Sequence, residues 1–158
     1  MTKEELSYIA GFLDGDGCIM LQLVYRHDYV FGYQIRASVV FYQDVRNRYF
    51  LEWLKKKLGY VGYVRNRNDG MSEYTIVGVK AVTNILKILK PYLRLKKKQV
   101  ILALKVLRQM PERDYKLTPK KLLRLSKLTD GFSKLNYSKR RTNTSAKVEE
   151  FLKSKNLL

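Results

Sequence analysis

Two carboxylates, Asp14 and Asp16, stand among three glycines in the stretch Ile9-Ala-Gly-Phe-Leu-Asp-Gly-Asp-Gly17. The residues ahead of them, with Leu6, Ile9, Ala10 and Leu13 at helical spacing, read as an amphipathic helix. The acids then fall at its C-terminal end, where the helix dipole disfavours negative charge by a few tenths of a kcal/mol up to about 1 kcal/mol. A compensating group is expected. Ala10 and Gly11 lack bulk and admit a second helix backbone to within roughly 8 Å. If that helix is the same one from a second copy, two-fold symmetry brings Asp16 and its mate together. Divalent cations would relieve the repulsion between them, and carboxylates with a glycine carbonyl are hard oxygen ligands of the kind Mg²⁺ prefers.

The rest of the composition narrows the partner. The chain has 158 residues, with 32 Lys plus Arg against 14 Asp plus Glu and a formal net charge of +18. Such an excess favours a polyanion, and nucleic acid before an anionic membrane. The length suits a single domain over 1–158, with a core to about residue 110 and C-terminal helices and a basic loop over about 111–158. Cys18 is the one cysteine, which excludes an intrachain disulfide and reads most simply as a small buried residue. No signal-peptide pattern opens the chain and no apolar run approaches ~18 residues, so no membrane is expected and the location is intracellular. His27, the lone histidine, lies roughly 30 Å along a strand from Asp16 and receives no chemical role.

Helices and hairpins must position these groups. Thr2 and Glu5 form a capping box for a first helix over about Lys3 to Asp14. Beyond Gly17 the period changes to two. Ile19, Leu21, Leu23 and Tyr25 share one face, with Gln22, Arg26 and Asp28 on the other and Val24 as an apolar exception. After a turn near Phe31-Gly32, Ile35, Ala37, Val39 and Phe41 alternate with Gln34, Arg36 and Ser38, which completes a hairpin. Asp44 opens a helix ending near Gly59. A second hairpin pairs Tyr60 to Arg67 with Glu73 to Val77 through Asn68-Asp69-Gly70. Helices follow over about Ala81 to Leu89, Lys96 to Met110, from Thr118 with Pro119 at the first position, and over about Ala146 to Lys153. The order α-β-β-α-β-β-α-α-α implies an α+β fold, an antiparallel sheet backed by helices on one face with a polar, basic face opposite.

That open face suits duplex DNA. Eight strand residues from Gln22 to Tyr29 span on the order of 27 Å, about eight base pairs, and a two-stranded ribbon enters the major groove. Gln22, Arg26, Gln34, Arg36, Arg65 and Arg67 carry forked donors and acceptors matched to base edges. Asp28, Tyr29, Ser38, Glu73 and Thr75 accompany them. Ser138, Lys139, Arg140 and Arg141 suit backbone phosphates.

The motif Ile9–Gly17 closely resembles the signature of the LAGLIDADG homing endonucleases. The resemblance extends through the two hairpins, Gly62-Tyr-Val-Arg-Asn-Arg67, Pro91-Tyr-Leu-Arg-Leu-Lys-Lys-Lys-Gln99 and Leu135-Asn-Tyr-Ser-Lys139. It is nearest the small, single-motif, organellar intron-encoded type. The resemblance implies the α-β-β-α-β-β-α core and a homodimer with Ala10, Gly11, Leu13 and Asp14 at its interface. It implies Mg²⁺-dependent cleavage of a long, nearly palindromic double-stranded DNA site across the minor groove, leaving short 3′ overhangs, with Mn²⁺ or Ca²⁺ able to occupy the site. Asp16 matches the metal-binding acid, Gly15 the assisting carbonyl, Gln43 the residue that positions water, and Lys96 the cation beside the scissile phosphate. Asn47 departs from the family, which often has Lys or Arg there, and Arg46 or Arg48 is left as a substitute. An organelle or a prokaryotic cytoplasm is the implied location. The competing readings are an RNA-splicing maturase or DNA-binding regulator that retains the fold, and a basic ribosomal or RNA-packaging protein.

Overall fold

The computed structural model describes residues 1–111, 117–136 and 142–158. Helix α1 (Lys3–Asp16) leads into strands β1 (Gly17–Tyr25) and β2 (Tyr33–Asp44). A 3₁₀ turn at Val45–Asn47 enters α2 (Arg48–Lys57), followed by β3 (Tyr63–Asn66), β4 (Met71–Val77), α3 (Val79–Leu89), α4 (Lys97–Leu107), α5 (Pro119–Asp130) and α6 (Ser145–Ser154). The sheet is antiparallel in the order β1-β2-β4-β3. The expected α+β architecture with helices backing one face is therefore present.

The register follows the alternation in the sequence. Ile19 pairs with Val39, Leu21 with Ala37 and Leu23 with Ile35, and Val39 and Phe41 continue to Ile76 and Tyr74 on β4. These side chains are buried against α1, α2 and α3, with Leu13, Leu51, Leu54 and Leu86 fully enclosed. Moving any of these strands by one residue would turn its apolar set to solvent, which pins the pairing.

Helix α1 ends at Asp16, two residues later than the expected Asp14. Thr2 and Glu5 form the reciprocal cap at its start, and the Gly17 N–H bonds back to the Leu13 carbonyl at its end. The chain turns there from helix to strand within one residue. A Cβ on Gly17 would lie 2.4 Å from Leu13 Cδ1 and 2.8 Å from the Leu13 carbonyl oxygen, so this exit needs glycine.

Tyr25, on the same face as Leu23, is exposed because it lies at the last rung of the hairpin. The open sheet face corrects one expectation, since it is not uniformly polar. Its centre carries Met20, Ser38, Val40 and Val77, which adjoin one another across β1, β2 and β4. Charged and amide groups occupy the flanks, with Gln22 opposite Arg36 towards the hairpin tip and Arg65 opposite Glu73 at the other side.

Candidate nucleic-acid interface and metal-binding end of the first helix

The question posed by Asp14 has a local answer. Its carboxylate is buried, 8% exposed, and accepts backbone N–H bonds from Arg94 at 2.6 Å, Leu95 at 3.1 Å and Lys96 at 2.9 Å. These amides lead into α4, which lacks a side-chain cap from its own N-cap residue, Lys96. Asp14 therefore caps α4 across the fold, where the positive end of that helix favours its charge. In return the Lys96 ammonium donates to the Asp14 backbone carbonyl at the C-terminal end of α1. A cation placed on those carbonyls is the compensation that the dipole requires.

Asp16 is different. It is exposed as the last residue of α1, beside exposed Gly15. Lys96 is thus brought to the same helix end as Asp16 from eighty residues away. Gln43 sits two residues past Phe41, the partner of Gly17, so the register sets it at the α1 end of the sheet. Its carbonyl oxygen accepts from the Asp44 N–H at 3.0 Å and from Asn47 Nδ2 at 3.4 Å. Among the described residues no group of three His, Cys, Asp or Glu side chains gathers to hold a metal.

The two arginines that flank Asn47 both have local partners. Arg46 is bound to Asp44 through Nε at 2.9 Å, while Arg48 reaches Asn66 at 2.6 Å, Glu52 at 2.9 Å and the Val64 carbonyl at 3.3 Å. Asn47 itself reaches Gln43.

The dimer-face expectation needs a correction. Ala10, Leu13 and Asp14 are buried within the chain itself, because that side of α1 packs on the sheet and on the segment before α4. The outward stripe of α1 is Glu4, Ser7, Tyr8, Gly11 and Gly15. A Cβ added to Gly11 or Gly15 would meet nothing within 4 Å, so of the four residues only Gly11 lies on open surface. Tyr8, 57% exposed, and Tyr49, 73% exposed, flank a hollow of about 560 Å³ floored by Phe50 and Trp53. Leu95, next to Lys96, is also exposed. Composition gives no sign of this patch; the signal available in the sequence is an aromatic run at Tyr49, Phe50 and Trp53 beyond what one core face absorbs.

On the open sheet face, Arg65 Nε donates to Glu73 at 2.7 Å, and Arg67 bonds Asp69 at 2.8 Å while lying over the Tyr42 ring at 5.6 Å. The Glu73 carboxylate holds the Arg65 guanidinium firmly in its charged form. At the hairpin tip Arg26 forms a two-point pair with Asp28, which keeps that carboxyl below the usual range, and lies 5.1 Å over Tyr29. Gln22 and Arg36 are exposed, and Gln34 is half-buried. Ser38, Thr75 and Glu73 are only 3%, 5% and 7% exposed, so their expected accessibility is corrected: they lie on the face but beneath longer neighbours. Ser138, Lys139, Arg140 and Arg141 lie outside the described residues.

A cleft of about 610 Å³ runs from Gly15 and Lys96 along β1 past Cys18, Met20 and Gln22. It joins the acidic helix end to Gln22 on β1. Burial pushes the Cys18 thiol upward, against a smaller opposing effect of Lys96. Among the described residues no helix is long and apolar enough to cross a membrane.

A family model described as LAGLIDADG endonuclease matches residues 9–106. The DNA endonuclease I-CreI of Chlamydomonas reinhardtii is 40% identical over 153 residues, covering 97% of this chain and 91% of that protein. The DNA endonuclease I-CvuI of Chlorella vulgaris is 38% identical over 149 residues, covering 94% and 90%. A crystal structure of the homing endonuclease I-CvuI in complex with its target in the presence of Ca superposes with a TM-score of 0.92 at 37% identity, over 98% of this chain and 96% of that one.

Proposed function

The chain belongs to the LAGLIDADG endonuclease family, and on that premise we propose that it is a site-specific double-stranded DNA endonuclease acting as a homodimer on a long, nearly palindromic site. The observation that carries this reading is that the Lys96 ammonium reaches the Asp14 carbonyl at the same end of α1 where Asp16 is exposed, on a helix whose outward stripe is bare at Gly11 and Gly15. One chain presents one exposed carboxylate at this point. A second copy docked on the stripe supplies its mate, and the aromatic hollow around Tyr8, Tyr49 and Trp53 with Leu95 extends the contact on either side.

The donors present at that centre are oxygen atoms, the Asp16 carboxylate and the Gly15 carbonyl near the open end of α1, which fits Mg²⁺, with Mn²⁺ or Ca²⁺ as alternatives, and does not fit a thiolate- or imidazole-binding metal. Mg²⁺ bound there would polarise a phosphoryl oxygen and acidify a water molecule. Lys96 places an ammonium at the same helix end, suited to stabilising the charge that develops on the scissile phosphate. Gln43, held by Asn47 and by the Asp44 amide, orients water through its own amide donors, because its oxygen is already engaged. The open face supplies recognition through Gln22, Arg26, Gln34, Arg36, Arg65 and Arg67, preorganised in part by Asp28 and Glu73. Ser138, Lys139, Arg140 and Arg141 contribute phosphate affinity, which weakens with salt. Cutting across the minor groove to leave short 3′ overhangs and an organellar location belong to the same reading.

The test is a selection from randomised duplexes incubated with Mg²⁺ and sequenced at the cut ends. A recurrent two-fold site with a fixed stagger supports the proposal; random fragmentation or no cutting refutes it.

A further inference from the structure

The hairpin tip that carries Arg26 and Tyr29 extends past the last β1–β2 pair and is mostly exposed. Its own contacts make it a unit. Arg26 is paired to Asp28 and stacked on Tyr29, and the turn is closed by two bonds of 2.8 Å, from the Arg26 N–H to the Gly32 carbonyl and from the Gly32 N–H to the Tyr29 carbonyl. Both closing bonds end on Gly32. A displacement of Gly32 therefore opens both bonds and frees the turn to move against the sheet.

Gly32 is where the rest of the fold takes hold of it. The residue is buried, with φ at +65°, and a Cβ there would lie 2.4 Å from two ring carbons of Phe151 on α6. The Phe151 ring meets Tyr25 and Tyr33 edge-on, with centroids 5.9 Å from each, and Tyr25 in turn meets Tyr33 at 5.2 Å and His27 at 4.9 Å. Helix α6 is firmly seated, since Val148 and Leu152 are fully buried and the Asp130 carboxylate accepts the Ser145 N–H at its start. A second tie lies alongside, where Asn143 Nδ2 donates to the Leu23 carbonyl of β1 at 2.9 Å.

We propose that Phe151 is a positioning residue for DNA recognition: seated on Gly32, it fixes the height and twist at which Arg26, Tyr29 and Gln34 meet the outermost base pairs of each half-site. This inference rests on the reading that the open sheet face binds duplex DNA. Base readout needs donors placed to within about 0.5 Å and 10–20°. A hairpin end pivoting about its last rung would blur the outer contacts while leaving the centre of the site, served by Asp16 and Lys96 far down the strand, undisturbed.

The test compares the full-length parent with Phe151→Ala, Phe151→Leu, Phe151→Tyr and Gly32→Ala. Hydrogen exchange at the Arg26 and Gly32 amides of the free protein should quicken about tenfold in Phe151→Ala and Phe151→Leu, and stay near the parent in Phe151→Tyr, which keeps the ring. In cleavage of a randomised-site library, the same two variants should lose about tenfold of their discrimination at the outer base pairs and keep it at the centre, again with rescue by tyrosine. Gly32→Ala should reproduce the effect with added strain from its positive φ, and combining it with Phe151→Ala should be no worse than Gly32→Ala alone, because the two changes break one contact and the strain is common to both. Unchanged exchange in both Phe151→Ala and Phe151→Leu overturns the proposal, as does a loss of discrimination spread evenly over the site. If the parent cuts no member of the library, the nuclease reading fails by itself and the exchange measurement still decides the lock.

Discussion

Asp14 and Lys96 are joined twice across the fold, the carboxylate of the first accepting the backbone N–H of the second at 2.9 Å and the ammonium of the second capping the backbone carbonyl of the first. The pair ties the end of α1 to the start of α4 and satisfies the dipoles of both. It also separates the two acids of the motif, leaving Asp14 as a structural cap and Asp16 as the one that faces outward.

Asp14→Ala should therefore cost about 2–4 kcal/mol, since three N–H groups at the start of α4 lose their charged, buried acceptor. In a domain of this size that lowers the melting temperature by roughly 5–15 °C. Asp14→Asn, which keeps one oxygen acceptor, should lose less. Asp16→Asn should leave the melting curve of the free protein unmoved. Thermal unfolding followed by circular dichroism checks all three.

Gly11→Leu should fold, because nothing in the chain lies within 4 Å of the added Cβ and a mid-helix glycine is itself unfavourable by roughly 0.5–1 kcal/mol. It should fail to dimerise, because the side chain fills the space of the opposing helix. Light scattering should then give about 18.6 kDa in place of twice that mass. A dimer of normal affinity would place the interface elsewhere.

Asn47→Ala should slow cutting by about tenfold with little change in KM, as Gln43 loses its amide partner and water positioning loosens. Arg48→Ala should instead lower stability, since its guanidinium links α2 to β3 through Asn66 and Val64, and should spare the cutting rate of the folded fraction. Single-turnover kinetics beside thermal melts separates the two effects.

Cys18 offers a pH-dependent readout. Burial raises its pKa, so the thiol is protonated at neutral pH and should alkylate more slowly than a free cysteine there. Reactivity should climb as pH rises past the ordinary thiol range. Because a thiol with a raised folded-state pKa keeps its proton longer than in the unfolded chain, stability from this group is retained at low pH and lost as pH rises through the folded value. Alkylation rates followed by mass spectrometry between neutral and alkaline pH test this.

Sequence periodicity locates the helices and hairpins because local patterns decide them. The capping box at Thr2 and Glu5, the alternation from Ile19 to Phe41 and the Thr118–Pro119 start all appear where the residues place them. Motif resemblance by itself assigns Asp16 and Lys96 to one site. What escapes a sequence reading are relationships made by distant residues. The burial of Asp14 depends on amides eighty positions away, so the small and acidic residues of the motif suggest a dimer face on what is the inward side of α1. Ser38-Val39-Val40-Phe41 breaks the expected alternation with consecutive apolar residues, a visible sign that the sheet's second face is partly apolar, yet the burial of Ser38 and Thr75 follows only from the cross-strand register. The Gly32–Phe151 contact joins a turn to the last helix and leaves no local trace.

The central claim is that Asp16 serves the chemistry and not the fold or the grip on DNA. The most direct measurement compares Asp16→Asn with the parent on the selected site, recording cleavage rate in Mg²⁺, DNA affinity and mass together. Cutting should fall by about a thousandfold or more, with a dimeric mass and an affinity within about threefold of the parent. Cleavage within tenfold of the parent would contradict the account.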